Sequence, residues 1–204
     1  MKISIQLFMF TLGLFIFSYG IALAITVQHL GIHPWDVLSI ALFDLFGLSI
    51  GTWAVIVGLV LVCISLIIDR KYINYGTFLN ALLVGPFVDM YLWIGWFPTS
   101  NETFFEVIIL LVAIVTMGFG GGMYAAARIG VGPRDGFMLS LSDQFGMSIS
   151  RVRIVVETSV LVLAFLLGGP VFIFTFIYTF IQSPVFQFSY HYHSKRLDQL
   201  LGRI

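Results

Sequence analysis

Residues 31–50 read GIHPWDVLSIALFDLFGLSI, and residues 130–149 read GVGPRDGFMLSLSDQFGMSI. Nine of the twenty positions are identical at an offset of 99. Gly31, Pro34, Asp36, Leu42, Asp44, Phe46, Gly47, Ser49 and Ile50 match Gly130, Pro133, Asp135, Leu141, Asp143, Phe145, Gly146, Ser148 and Ile149. Identity at one offset over this length marks an internal duplication. A weaker echo follows in Gly85-Pro86-Phe87-Val88-Asp89 against Ser183-Pro184-Val185-Phe186-Gln187.

Each copy carries its own punctuation. Pro34 and Pro133 suit the first turn of a helix, where a missing N–H costs nothing. Gly47 and Gly146 read as helix stops. Ser49 and Ser148 are N-cap candidates for the helix that follows. The helix between Pro and Gly has roughly a dozen residues, about 18 Å at 1.5 Å per residue, too short to cross a bilayer.

Around these copies the chain is apolar. Of 204 residues, 59% are hydrophobic and 10% charged, with a mean hydropathy of +1.03. That balance excludes a soluble domain and implies a lipid solvent. The zero net charge gives no nucleic-acid signal. The lone Cys63 excludes an intrachain disulfide or a thiolate metal cluster.

Six apolar stretches are long enough to read as spans, at about 3–27, 50–68, 75–97, 104–127, 154–167 and 171–190. The first is too long for a signal-peptide core and lacks a small-residue cleavage site. Trp93 and Trp96 close the third as an interfacial pair. With the N-terminus inside, all ten Lys and Arg residues fall on inside segments. Both termini are then cytoplasmic. The expected fold is an all-α polytopic membrane bundle of one domain, with repeat 1 at about 3–97, repeat 2 at about 104–192 and a cytoplasmic tail at 193–204. Three spans per repeat is an odd number, so the halves enter the membrane from opposite sides, the inverted plan of many transporters.

The short helices have two possible placements. Lying flat at the interface, they turn Asp44 and Asp143 to water and their apolar face to lipid. Alternatively, each Gly-x-x-Pro-x-Asp loop dips to mid-membrane and its half-helix climbs back out. Residues 28–33 reach about 20 Å when extended, enough for the dip. Two half-helices would then meet N-terminus to N-terminus, their free N–H groups and positive dipole ends forming a polar site.

Several residues are weighed for that site. Pro34, Asp36, Pro133, Arg134 and Asp135 lie in the motif, with Arg134 able to pair with Asp36 or Asp135. Asp89, inside the third span, is read as facing an interior cavity, with Gln187 as its repeat mate and Asn80 as a further polar position. Arg153 and Glu157 read as a plain i, i+4 pair near the inner surface. Gly20 with Ala24, and Gly118 with Gly122 and Ala126, form small-residue stripes that predict close packing of the first and fourth spans. His29 and His33 lack a third ligand, so neither a metal nor a cofactor site is read. No enzyme motif is present, and the chain is not expected to be an enzyme.

On these residues the chain resembles the YczE/YitT-type bacterial membrane proteins, nearest to the YczE branch. The resemblance is most specific over 31–50 and 130–149 and implies a bacterial cytoplasmic-membrane protein. The second copy departs from the first where Gly132 replaces His33 and Arg134 replaces Trp35, so any central site is asymmetric. The expected function is a small-solute transporter or channel. Alternatives are a substrate-binding subunit of a larger transporter, docking a partner helix on the Gly118–Gly122–Ala126 stripe, or a membrane assembly or regulatory factor. The expected partners are the lipid bilayer and a small solute, with a homo-oligomer or partner subunit also open.

Overall fold

The computed structural model describes residues 2–98, 102–147 and 149–202. Among them are eight α-helices and no strand: α1 Lys2–Thr26, α2 Pro34–Phe46, α3 Ile50–Ile68, α4 Tyr75–Ile94, α5 Thr103–Ala126, α6 Pro133–Phe145, α7 Ile149–Leu166 and α8 Ile173–Leu200. Two 3-10 turns, Gln28–Leu30 and Arg70–Tyr72, lie in the connections. Four helices, α1, α3, α4 and α5, are long and apolar enough to cross a membrane. The segment read as a polar tail continues α8 as helix to Leu200.

The short helices form as their punctuation predicts. Pro34 and Pro133 start α2 and α6. Gly47 and Gly146 stop them at φ 73° and 61°, a conformation an L side chain rarely adopts. The Ser49 hydroxyl caps α3 by accepting the Thr52 N–H at 3.0 Å. Ser148, its repeat mate, lies outside the described residues.

The first and fifth helices form the central pair, as the repeat predicts, through the expected Gly20 but also through Gly13 and Gly120 rather than Gly118 and Gly122. Gly13 lies against the Tyr124 backbone, Gly20 against Met117 and Ala113, and Gly120 against Gly13 and Phe17. Gly118 and Gly122 instead face α8, where a Cβ on Gly122 would sit 2.5 Å from the Phe186 carbonyl oxygen and 2.6 Å from the Tyr190 nitrogen. The expected docking of the Gly118–Gly122 stripe on the Gly20–Ala24 stripe is therefore corrected. Gly120 faces α1, Gly118 and Gly122 face α8 and Gly121 lies between Phe17 and Phe186, so α1 and α8 each take a share. Ala24 and Ala126 are buried.

The short helices cross between halves. α2 packs on α7 and α6 packs on α3. The motif glycines show why this interlock needs glycine. Gly31, at φ 113°, lies where a Cβ would be 2.6 Å from the Thr175 nitrogen at the start of α8. Gly130 stands in the same relation to the Thr77 nitrogen at the start of α4, also 2.6 Å. Thr77 and Thr175 are themselves capping residues, accepting the N–H of Asn74 at 3.2 Å and of Phe172 at 3.3 Å. Each copy of the motif thus begins on a helix cap belonging to the other half.

Candidate functional site

The starts of α2 and α6 meet. Arg134, in the first turn of α6, donates from Nη2 to Asp36 Oδ1 in the first turn of α2 at 3.1 Å. Its guanidinium also lies 5.5 Å from the centroid of the Trp35 ring. Residues 31–41 are buried throughout, including Asp36 at 3% exposure. A charge this buried is tolerable only when paired. Loss of the Arg134 partner should cost about 3–5 kcal/mol.

Asp135 takes a different cation. Arg153 Nη2, from α7, donates to Asp135 Oδ1 at 3.1 Å. Arg153 Nε lies 3.9 Å from Glu157 Oε1, and the same oxygen is 4.0 Å from His33 Nε2. The Arg153–Glu157 pair expected at the inner surface therefore extends into a part-buried chain joining α6, α7 and the end of the loop before α2. His33 and Trp35 come from the first copy of the motif, Arg134 and Asp135 from the second.

These groups border a cavity of about 190 Å³ between the halves. Pro133, Arg134 and Asp135 line it with His33, Trp35, Asn80, Tyr124, Arg153 and Glu157. Phe17, Val84, Met117, Met138 and Phe186 supply its apolar wall. Gly132, where the second copy departs from the first, opens room beside it: a Cβ there would lie 2.9 Å from the Tyr124 hydroxyl and 3.6 Å from Asn80 Nδ2. Two N–H donors at the site, Trp35 Nε1 and Arg153 Nε, are buried without a hydrogen-bond partner among the described residues, and the ring nitrogen His33 Nδ1 is buried likewise. Each buried donor left so costs about 1–3 kcal/mol.

A second cavity of about 470 Å³ adjoins the first. It shares Gly132, Asp135, Met138, Arg153 and Phe186 with it and adds Lys71, Tyr72, Asn74 and Arg128 at its rim. The Asp135–Arg153 pair thus stands between the two spaces. The rim is tied by ion pairs. Lys71 Nζ and the Tyr72 hydroxyl both donate to Asp143 Oδ2 at 2.8 Å. The hydrogen bond to Asp143 raises the Lys71 amine above its ordinary range, and the bond from Lys71 holds the Asp143 carboxyl below its own. Arg128, at φ 60°, makes a two-pronged contact with Asp198 of α8, both bonds 2.8 Å.

Two residues assigned to the site from sequence lie elsewhere. Asp89 caps α3: its Oδ1 accepts the Gly51 N–H at 2.9 Å, and its Oδ2 accepts the Ser49 hydroxyl. A helix N-terminus, with free N–H groups and a positive dipole end, satisfies a carboxylate as well as a cavity does. Gln187 is exposed on α8. Phe186 takes the inward position, and Gln187 falls about 100° further round the helix. Gln182 and Ser183 are the polar residues of α8 that reach the cavity. Pro34 and Asp36 support it from the α2 side. The residues the sequence reading passed over are His33, Trp35, Tyr124, Arg153 and Glu157. Two charges one turn apart in an otherwise apolar helix were the available signal for the last pair.

The chain is 31% identical over 191 residues to "Uncharacterized membrane protein YczE" of Bacillus subtilis (strain 168), covering 94% of this chain and 88% of that one. It is 32% identical over 187 residues to an "Uncharacterized protein" of Haemophilus influenzae, covering 91% and 82%. It is 28% identical over 161 residues to "Uncharacterized protein YyaS" of Bacillus subtilis (strain 168), covering 78% and 80%. No solved structure matches the chain. With four apolar helices of spanning length and a membrane-protein relative over nearly its whole extent, the chain is a membrane protein. It belongs to the family described as "Family of unknown function (DUF6198)", which matches residues 4–191.

Proposed function

We propose that the protein is a small-solute transporter or channel of the bacterial cytoplasmic membrane, with six spans, two inverted halves, both termini cytoplasmic, and its solute site in the central cavity. One observation carries the reading: each short helix starts against the middle of a long helix of the other half. His33 lies beside Glu157, near the middle of α7. Pro133 lies beside Gly58, near the middle of α3, and Ser140 reaches the Asp69 carbonyl at the end of the same helix, 3.3 Å. A helix lying flat on the surface would stay level with one end of its neighbour. A half-helix that begins at mid-depth and climbs out runs along it, and irregular backbone at that depth is tolerated where it lines a cavity.

The remaining features fit. The base-bearing segments cluster: Lys71 contacts Asp143, and Ile129 accepts the Gly76 N–H at 3.0 Å. His29 pairs with Glu106 at 3.1 Å in a separate group that carries no Lys or Arg. In this arrangement α7 and α8 serve as spans five and six, with Arg153 and Glu157 of α7 turned to the cavity. The second space, rimmed by Lys71 and Arg128, is the cytoplasmic approach. The subunit reading loses its docking stripe, since α8 covers Gly118 and Gly122. No enzymatic role is proposed.

The test is flux. Liposomes containing the purified protein are loaded with a defined mixture of amino acids, small carboxylates, sugars and amines, and the contents are followed by mass spectrometry. Selective loss of one class, reduced by Arg134→Ala, is the expected result. Retention of every class, as in protein-free liposomes, refutes transport.

A further inference from the structure

We infer that the central cavity takes a small organic monocation, an ammonium ion with a compact apolar body. The inference rests on the transport reading above and names the solute class for that site. Its first support is the charge balance. Arg134 holds Asp36, and Arg153 holds Asp135, each at 3.1 Å. Arg153 also serves Glu157, with its Nε 3.9 Å from Glu157 Oε1. Three carboxylates thus share two guanidiniums among the described residues, and with His33 neutral these five charges sum to minus one. A net charge held in a low-dielectric interior is costly unless something offsets it. Two things balance this one. The first is a proton on His33, whose Nε2 lies 4.0 Å from the same Glu157 oxygen. The second is a bound monocation.

The second support is where the charge stands. Arg153 and Glu157 occupy the positions that Ala54 and Gly58 hold in the first copy, at the same offset of 99. All four residues line the cavity. At Gly58 the α3–α6 contact forms with no charge at all, a Cβ there lying 3.7 Å from Pro133 Cγ. Seating a short helix on a long one therefore does not require a charged pair, and α7 carries one towards the cavity all the same. The third support separates a cation from a bare proton. Phe17, Trp35, Tyr124 and Phe186 border the same space. A Cβ on Gly121 would meet Phe186 Cδ2 at 3.0 Å and Phe17 Cδ2 at 3.6 Å, and the Phe17 ring lies 5.7 Å from that of Tyr124. Gly132 leaves room where a Cβ would be 2.9 Å from the Tyr124 hydroxyl and 3.6 Å from Asp135 Oδ2. Ring faces attract ammonium ions, as the Trp35 ring already attracts the Arg134 guanidinium at 5.5 Å. A carboxylate beside such rings fixes the charged end, and the rings cover the apolar body. A proton needs neither.

Three probes of similar shape and different charge test this: benzylamine, cationic at neutral pH, benzyl alcohol and phenylacetate. The protein carries Trp53→Phe, Trp93→Phe and Trp96→Phe, leaving Trp35 as sole reporter in detergent. Benzylamine should change Trp35 fluorescence saturably, with a midpoint at least about tenfold below those of the other two. Glu157→Gln removes the excess charge. It should raise the benzylamine midpoint about tenfold and leave that of benzyl alcohol in place. If Glu157→Gln does not fold, Asp135→Asn takes its role, with the same expectation. Equal or tighter binding of benzyl alcohol or phenylacetate overturns the assignment, as does an unchanged benzylamine midpoint in the neutralised variant. Saturation by none of the three in protein with an intact melting transition also overturns it and leaves the proton as the counter-charge. Each of these results leaves the transport reading standing, because the liposome mixture covers other solute classes. Retention of every class in liposomes with benzylamine binding intact would refute transport while keeping the ligand class.

Discussion

Asp89 separates two accounts of the same carboxylate. In the sequence it reads as a solute ligand; in the structure it closes the N-terminus of α3 through the Gly51 N–H and the Ser49 hydroxyl. Asp89→Ala removes both acceptors and leaves the Gly51 N–H without its partner. Hydrogen bonds to an ionised group contribute about 1.5–3 kcal/mol each, and the dipole term at a helix N-terminus adds about 0.3–1 kcal/mol. Asp89 is only half-buried, so the lower end applies and the loss should be about 2–4 kcal/mol. For a chain of this size that lowers Tm by roughly 5–15 °C. Asp89→Asn keeps one carbonyl acceptor and should lose about half as much. Thermal unfolding in detergent, read by intrinsic tryptophan fluorescence, measures both. Ser49→Ala combined with Asp89→Ala should fall short of the sum of the single losses, because the two residues share one contact. An unchanged Tm in Asp89→Asn with solute binding or flux abolished would refute the capping role and return Asp89 to the solute site.

Other outcomes follow from the same packing. Arg134→Ala should destabilise by about 3–5 kcal/mol by stranding Asp36, and adding Asp36→Asn should recover part of it, again read as Tm. Gly122→Ala should cost about 1–3 kcal/mol or more by pushing α8 from α5, whereas Gly58→Ala, whose Cβ meets nothing nearer than 3.4 Å, should leave Tm within about 0.5 kcal/mol of the parent. In a Cys63→Ala background, Glu102→Cys should label with an impermeant thiol reagent in intact cells and Lys195→Cys only after lysis; the reverse pattern would overturn the orientation.

What the sequence made legible, and what it hid, divides along a physical line. Local punctuation was readable because it depends on one residue at a time: Pro34 and Pro133 can start a helix, and Gly47 and Gly146 can adopt the φ that ends one. The Arg134–Asp36 pair was readable because the two copies of the motif carry matching first turns, and those turns meet. Arg153 was hidden by its neighbour, since Glu157 four residues on already explains it locally. Its contact with Asp135 is set by how α6 and α7 fold back on each other. Asp89 was hidden for a related reason: a polar residue in a span needs a partner, and the sequence does not say whether a cavity or a helix end provides it. The glycines of α5 announced close approach without naming the neighbour. The cavity itself follows from asymmetry between the copies, with Gly132 standing where the first copy has His33.

The seating of Gly31 on the start of α8, and of Gly130 on the start of α4, has a consequence for biogenesis. Neither half completes its own surfaces. When residues 2–98 have left the ribosome, the landing place of Gly31 has not been synthesised, and the partners of α2 on α7 are also still to come. The buried Asp36 has no cation until Arg134 arrives. The first half must therefore wait in the bilayer with its short helix undocked, exposed to insertases and proteases, and it becomes resistant only once the second half threads in. Expressed as two separate polypeptides, the halves should be short-lived singly and long-lived together.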